Sequence, residues 1–401
     1  MTTLYLLIQI LKIWTSLLMT NYFKIFTIFF LLSFKVVNAN PKIDARTAIL
    51  IDYQSDKVLF ELQADHSIHP ASMTKIMTTI VVFDLLTKKT ISLDDKVTIS
   101  EKAWRMSQAG YSSMFIMVND EISIENLLRG IIVASGNDAC VAIAEGIAGT
   151  EENFVVIMNE KAQEIGMNAT NFANTSGINN PDNYSTVRDI ALMSKYLIKN
   201  YPDYYEYFKE TEFTWDRTGG NPITQGNRNT LLYKNIGVDG IKTGHLVVEE
   251  YSLASSIKKK SRRLIAVGSG FKTNASRAKQ SRKLLSWGLT NSETFEISKK
   301  NETNFKVKTW LGKNKTVIGQ TKEDVYITID KKNLRNLNTF IEYVGPVKTP
   351  IEKGQEIASI RVYIKEDLVK TIPVYAAEKV KKINFLFSLL TSFNYMIWGD
   401  A

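Results

Sequence analysis

The stretch His69–Leu86, HPASMTKIMTTIVVFDLL, decides how this chain reads. Beyond Lys75 it is almost wholly apolar, the pattern of a helix packed into a core. Lys75 then lies near the buried end of that helix, three residues after Ser72. Lysine is rarely buried in full unless it is paired or put to use. Positions i and i+3 of a helix share a face, so the Lys75 amine can reach the Ser72 hydroxyl. Pro70 stands where a helix can begin, and a helix N-terminus stabilises negative charge nearby. A serine hydroxyl is a poor nucleophile until a base takes its proton. Lysine serves as that base only with a lowered pKa, which burial or a neighbouring cation supplies. The alternative is a lysine that carries its charge out to water beside an incidental serine.

Working outward, 401 residues suffice for two domains. Hydrophobic residues at 44% and charged residues at 23% are those of a globular protein. The net charge of +9 suits either a solvated surface or an anionic partner such as a membrane. No Arg-rich block or zinc-finger spacing supports a nucleic-acid partner. Cys140 is the single cysteine, so neither an internal disulfide nor a thiolate cage for zinc is possible. His66, His69 and His245 are the only histidines, and the HSIH pair is a weak metal signal. The expectation is no metal and no cofactor.

The N-terminus carries a basic Lys24, an apolar run Ile25–Phe34 and short residues up to Ala39, a signal-peptide pattern with cleavage after Ala39. A second apolar stretch precedes it. Either Met19 is the true start, or the segment is an uncleaved anchor. Residues 40–294 mix strand and helix patterns. RTAILIDYQSDKVLFEL (46–62) reads as a hairpin, and EYSLASSIKKKSRRLIAVGSGF (250–271) as strand, basic turn, strand. SIENLLRGIIVAS, NDACVAIAEGIA and ENFVVIMNEKAQEIGM have helical spacing. Residues 295–376 form short alternating strands with turns at Gly345-Pro346 and Lys353-Gly354, a small all-β domain. In the tail, 377–401, apolar Ile383, Leu386, Phe387, Leu390, Phe393 and Ile397 recur at helical spacing. Asn384, Ser388, Thr391 and Tyr395 lie opposite, and Lys379, Lys381 and Lys382 precede. That describes a helix lying in a membrane interface, or one docked on the β domain.

S-x-x-K alone is a weak signal, since Ser255-Ser256-Ile257-Lys258 matches it inside a strand pattern. Two more elements support the first match. Ser135-Gly136-Asn137 sits at a loop-to-helix start, and Lys242-Thr243-Gly244-His245 precedes a strand. Ser392-Phe393-Asn394 also fits S-x-N, but within the tail helix. The order S-x-x-K, S-x-N, K-T-G is that of serine β-lactamases and penicillin-binding proteins, with Gly136 in place of the middle Asp.

The chain resembles the D-alanyl-D-alanine carboxypeptidases, the low-molecular-mass penicillin-binding proteins. The likeness runs through DARTAILIDYQSDKVLFELQADHSIHPASMTKIMT, YSSMF, LLRGIIVASGNDACVAIAE, NYSTVRDIALM and VDGIKTGH, then VYITID and PIEKGQEIASIRVYI, over about residues 43 to 376. It implies an α+β fold: an antiparallel sheet with helices on its faces and a helical subdomain, then the small β domain and the amphipathic helix. It also implies roles. Ser72 attacks the carbonyl between the two D-alanines of a peptidoglycan stem pentapeptide, and Lys75 takes its proton. Ser135, beside Lys242, relays a proton to the leaving nitrogen. Asn137 holds the substrate backbone and orients Lys75. Thr243 and Arg228 bind the terminal carboxylate, and the backbone N–H groups of Ser72 and His245 form an oxyanion hole. Lys242, Gly244 and His245 are expected to bind the substrate beside Thr243. β-Lactams are the expected inhibitors, and the expected location is the outer face of the cytoplasmic membrane. After K-T-G-H the family usually has a short polar stretch and Ala-Gly, where this chain has Leu246-Val247-Val248-Glu249-Glu250. On a strand that flanks substrate, the two acids either alter turnover or face solvent. A β-lactamase and a wall-binding scaffold with a weak site stand as alternatives. Glu164 and Asn168 do not form the loop element a β-lactamase needs.

Overall fold

The computed structural model describes residues 40–302 and 305–399. The expected signal peptide, residues 1–39 with Met19, lies outside them, as do the last two residues.

The N-terminal of the two halves is built on a five-stranded antiparallel sheet. Its strands are β1 (Thr47–Asp52), β2 (Val58–Leu62), β3 (Val238–Leu246), β4 (Glu250–Lys259) and β5 (Arg262–Phe271), in the spatial order β2-β1-β5-β4-β3. β1 shows why the central strands read as unbroken apolar runs: both faces are covered. Ile49 and Ile51 point into one core with Met73, Ile76 and Val267. Ala48 and Leu50 point into another with Leu264, Leu284 and Leu285. The second core is closed by helix α5 (Asn274–Asn291), numbered after α1 (Lys75–Thr87), α2 (Asn137–Ala148), α3 (Glu151–Ile165) and α4 (Val187–Asn200). The helical subdomain of α1 to α4 fills the first core. α1 is buried on nearly every side, which its sequence requires, having no polar stripe.

The β domain opens with β6 (Ser292–Ser298), which straddles the expected boundary at 294/295. β6 pairs with β9 (Val325–Asp330). The other strands are β7 (Phe305–Trp310), β8 (Thr316–Gln320), β10 (Leu337–Glu342), β11 (Val347–Lys348), β12 (Glu356–Ile364) and β13 (Asp367–Ala376). They form a six-stranded sheet in the order β10-β12-β13-β8-β7-β11. The two halves are joined at Asp52, which is fully buried. Its carboxylate accepts from Arg262 Nε at 2.9 Å and from Thr294 Oγ1 of β6 at 2.6 Å. Such a charge is tolerated because it is paired and hydrogen-bonded.

Helix α6 (Phe385–Trp398) is capped by the Asn384 side chain, which accepts from Phe387 N–H at 3.1 Å. It touches the β domain through Tyr395 against Trp310, with ring centroids 4.8 Å apart. Its apolar side chains stay outside, with Phe385 76% and Trp398 78% exposed. The arrangement is not that of a helix burying its apolar face on its own domain. Among the described residues no helix is long and apolar enough to cross a membrane.

Candidate active site

Ser72 does not lie on the α-helix that the i, i+3 argument assumes. Ala71–Thr74 is a 3-10 turn and α1 starts at Lys75. The correction strengthens the geometry, because side chains at i and i+3 eclipse in a 3-10 turn. Lys75 Nζ is 3.0 Å from Ser72 Oγ. It is also 2.7 Å from Asn137 Oδ1 and 2.6 Å from the Ser176 carbonyl oxygen. A neutral amine has two N–H donors and one lone pair. The two acceptors occupy the donors, which leaves the lone pair for the Ser72 proton. Burial, with a smaller contribution from Arg228, brings the Lys75 pKa down to about 8. Cys140 and Asp138 oppose that shift. Lys75 is 1% exposed and has no carboxylate partner among its hydrogen bonds.

Ser135 is positioned by a break in its helix. The segment 124–134 begins as an α-helix and ends in a π-helical turn, Gly130–Ala134, after which Ser135 adopts left-handed φ 62°. The Gly136 N–H then donates to the Gly130 carbonyl oxygen at 2.9 Å. Gly136 accounts for the departure from the S-D-N pattern. A Cβ there would lie 2.7 Å from Asp138 Oδ1 and 3.0 Å from the Met114 nitrogen. Asp138 instead gathers the loop Ser113–Phe115, accepting from Ser113 Oγ at 2.6 Å and from the N–H groups of Met114 and Phe115.

The third element runs along β3, the edge strand of the five-stranded sheet. Lys242 Nζ is 3.0 Å from Ser135 Oγ. Its pKa is pulled well below the usual lysine value by burial first, then by Lys75 and Arg228. Gly244 lies against the Ser72 turn: a Cβ there would be 3.0 Å from Ala71 Cβ and 3.1 Å from the Pro70 carbonyl oxygen. Thr243 is buried beside it. Arg228 is exposed and acts electrostatically on both lysines. The His245 side chain is exposed and packs on the Tyr251 ring, centroids 4.3 Å apart.

Sequence reading missed three parts. The Ser176 carbonyl oxygen that holds Lys75 comes from a loop with no motif. Gly177 beside it, at φ +78°, passes so close to Ala71 that no side chain fits. Arg277 of α5 is buried and donates to the carbonyl oxygens of Gly244 and Arg228 at 3.4 and 3.3 Å, tying both to the scaffold. Burial lowers its pKa to about 10. In sequence it belongs to a basic run that reads as surface.

Glu249 and Glu250 correct the expectation for the hairpin after K-T-G-H. Glu249 faces neither substrate nor solvent; it is 2% exposed. Its carboxylate pairs with Arg46, accepts from Ser269 Oγ at 2.6 Å, and accepts from the His69 N–H at 3.0 Å. It ties the hairpin to the segment leading into Ser72. Glu250 is on the outside and pairs with Lys272 at 3.0 Å. The second S-x-x-K is incidental, since Ser255 Oγ donates to the Ala266 carbonyl oxygen within the sheet and Lys258 is exposed. Glu164 pairs with Lys161 at 2.6 Å, at the end of α3. Among the described residues no cluster of His, Cys, Asp and Glu could hold a metal ion.

A family model described as D-alanyl-D-alanine carboxypeptidase matches residues 35–273, and one described as penicillin-binding protein 5, C-terminal domain, matches residues 293–382. The chain is 38% identical over 350 residues to the D-alanyl-D-alanine carboxypeptidase DacC of Escherichia coli, covering 86% of each. It is 36% identical to DacF of Bacillus subtilis, covering 86% of this chain and 87% of that one. The crystal structure of penicillin-binding protein 5 from Haemophilus influenzae superposes with a TM-score of 0.79 at 35% identity, covering 86% of this chain and 99% of that chain. A Listeria monocytogenes penicillin-binding protein in a cefotaxime-bound form covers 63% of this chain and 99% of that chain, at 25% identity and a TM-score of 0.57. With Lys75 hydrogen-bonded to Ser72 and Asn137, with Lys242 hydrogen-bonded to Ser135 two residues before Asn137, and with these likenesses along most of its length, the chain belongs to the D-alanyl-D-alanine carboxypeptidase family.

Proposed function

We propose that this protein is a serine-type D-alanyl-D-alanine carboxypeptidase that removes the terminal D-alanine from peptidoglycan stem pentapeptides. The observation that carries it is the Lys75 amine, whose two donors are engaged and whose remaining valence meets Ser72 Oγ at 3.0 Å. Ser72 loses its proton to Lys75 as its oxygen bonds to the carbonyl carbon. When the C–N bond breaks, the leaving nitrogen takes a proton through Ser135, held by Lys242. The acyl group stays on Ser72 until water hydrolyses the ester. The substrate lies against the open edge of β3, where strand addition gives backbone bonds on one side. Its terminal carboxylate meets Thr243 and Arg228, a guanidinium being suited to a carboxylate fork. A β-lactam enters as a mimic of the same amide and is trapped on Ser72.

The chain is exported through its N-terminal signal and attaches peripherally to the outer face of the cytoplasmic membrane. The exposed apolar face of α6 acts together with Lys381 and Lys382, each contributing about 1 kcal/mol near anionic headgroups, and with Lys379, which here pairs with Glu352 at 2.7 Å.

Mass spectrometry of a pentapeptide incubated with the purified protein tests the activity. Loss of one D-alanine supports the reading. Turnover of β-lactam without peptide cleavage would make it a β-lactamase, and neither would make it a wall-binding scaffold. For the membrane, the full-length chain pellets with anionic vesicles while a chain ending at Ala377 does not. Equal solubility of the two removes α6 as an anchor.

A further inference from the structure

One cavity of the described residues lies well away from Ser72. It has a volume of about 940 Å³ and lies at the other end of the β3–β4 hairpin, between Asn235–Gly237, the β4–β5 turn and the outer face of α5. Along β3 it is five residues from Lys242, roughly 17 Å at about 3.3 Å per residue. Its charge sets it apart. Lys258, Lys259 and Lys260 enter from the turn, and Lys279, Arg282 and Lys283 from the helix, with no aspartate or glutamate in the lining. None of the six meets a carboxylate among the described residues; Lys283 donates instead to the Lys42 carbonyl oxygen at 2.8 Å. A further cation, Lys331 of the β domain, reaches the Leu289 carbonyl oxygen beside the cavity at 3.3 Å.

The convergence is built by the fold. Positions 279, 282, 283 and 286 recur at i, i+3, i+4 and i+7, so α5 presents one polar face to the cavity. Its opposite face, Leu284, Leu285 and Gly288, is fixed against the sheet. Gly237, at φ +90°, lets the floor pass close under Lys258, where a Cβ would lie 2.7 Å from its carbonyl oxygen. Two rigid elements therefore hold six like charges around one space, at a cost in mutual repulsion that a compact polyanion relieves. Ammonium groups act as compact point charges and bind phosphate readily, while a lone carboxylate would satisfy only one of them. The volume suits a small-molecule headgroup.

We propose that this cavity binds a ligand carrying two or more phosphate groups, either free in solution or as a lipid headgroup. The test uses the full chain, a triple variant Lys259→Gln, Lys279→Gln, Arg282→Gln, and a control of equal net charge, Lys199→Gln, Lys306→Gln, Lys365→Gln. Calorimetry with sodium tripolyphosphate should show binding that weakens with salt. The triple variant should lose at least tenfold in affinity and the control should lose little. Both should still hydrolyse pentapeptide at the parent rate, which shows that they are folded. A second arm measures pelleting with phosphatidylcholine vesicles with and without cardiolipin, which bears two phosphates. α6 is the same in all three chains, so a deficit confined to the triple variant reports the cavity. Loss in both arms assigns a lipid headgroup, and loss with tripolyphosphate alone assigns a free phosphate compound. No binding of tripolyphosphate by the parent chain, or equal loss in the triple variant and the control, overturns the proposal.

Discussion

Lys75 and Glu249 are both buried, ionisable and held by three partners; Lys75 follows Ser72 by three residues, and Glu249 binds the chain at His69, three residues before Ser72. They differ in compensation. Every partner of Lys75 is neutral, and burial lowers its pKa to about 8. Glu249 has a guanidinium, a hydroxyl and a backbone N–H. A buried charge without a counter-charge is under pressure to neutralise, which is what a general base requires. A buried charge with its lone pairs satisfied is a fixed tie, and breaking it destabilises. The same active-site wall therefore contains a reactive charge and an architectural one, told apart by what surrounds them.

The comparison breaks most visibly at Lys75. Lys75→Met should lower the rate of Ser72 acylation by a labelled penicillin by about 10³-fold, the scale of losing a general base. The melting temperature should move little. Removing the buried amine relieves its desolvation, while Asn137 Oδ1 and the Ser176 oxygen lose a donor, opposing effects of about 1–3 kcal/mol each. Acylation that survives, or a collapse of the melting temperature, would make Lys75 a structural tie like Glu249.

Next in size is the pH dependence. Only neutral Lys75 can take the Ser72 proton, so the acylation rate should rise with pH and level off above about 8. Two units below that value it should be about 100-fold lower, the neutral fraction changing tenfold per unit. A stopped-flow acylation profile flat from pH 6 to 9 contradicts the assignment of the base.

Much of this contrast was legible beforehand, and its limits are physical. The proximity of Ser72 and Lys75 and the order of the three motifs could be read because each lies within a few residues of its partners or in a recognisable run. The hairpin at 46–62 and the strand pair at 250–271 could be read because alternation and turns are local. Arg277 and the Ser176 carbonyl oxygen could not, since both act through contacts between segments 33 to 101 residues apart. Glu249 was misread for the same reason: its partners lie 20, 180 and 203 residues away. A carboxylate in a hairpin reads as wet unless Arg46 is known to face it.

Third, then, is Glu249→Ala. It leaves the His69 N–H and Ser269 hydroxyl without an acceptor and Arg46 without its pair. The loss should be about 1–3 kcal/mol of stability, the lower range for a buried pair because Arg46 is partly exposed and can turn to water. Chemical denaturation should show the midpoint falling at unchanged slope. Any rate loss should follow from a loosened Ser72 turn, so Glu249→Gln, which keeps the shape and an acceptor oxygen, should recover most of it. An unchanged midpoint for Glu249→Ala would mean that the tie contributes nothing.

The neighbouring acid is expected to change almost nothing, which makes it the sharpest control. Glu250 sits at φ 62°, in the left-handed region, where a side chain costs about 1–2 kcal/mol and glycine costs none. Glu250→Gly relieves that strain but adds freedom to the unfolded chain, costing about 0.5–1 kcal/mol. It also removes the ion pair with Lys272, which is exposed on the lysine side and contributes on the order of 0.2–1 kcal/mol. The three effects nearly cancel, so stability should shift by about 0.5 kcal/mol or less, with unchanged pentapeptide kinetics. Two adjacent glutamates would then respond unequally, one to a depth of burial that sequence does not reveal, the other to a backbone angle that glycine would adopt freely. A large loss at Glu250 would show that the hairpin tip, not Glu249 alone, holds the Ser72 turn in place.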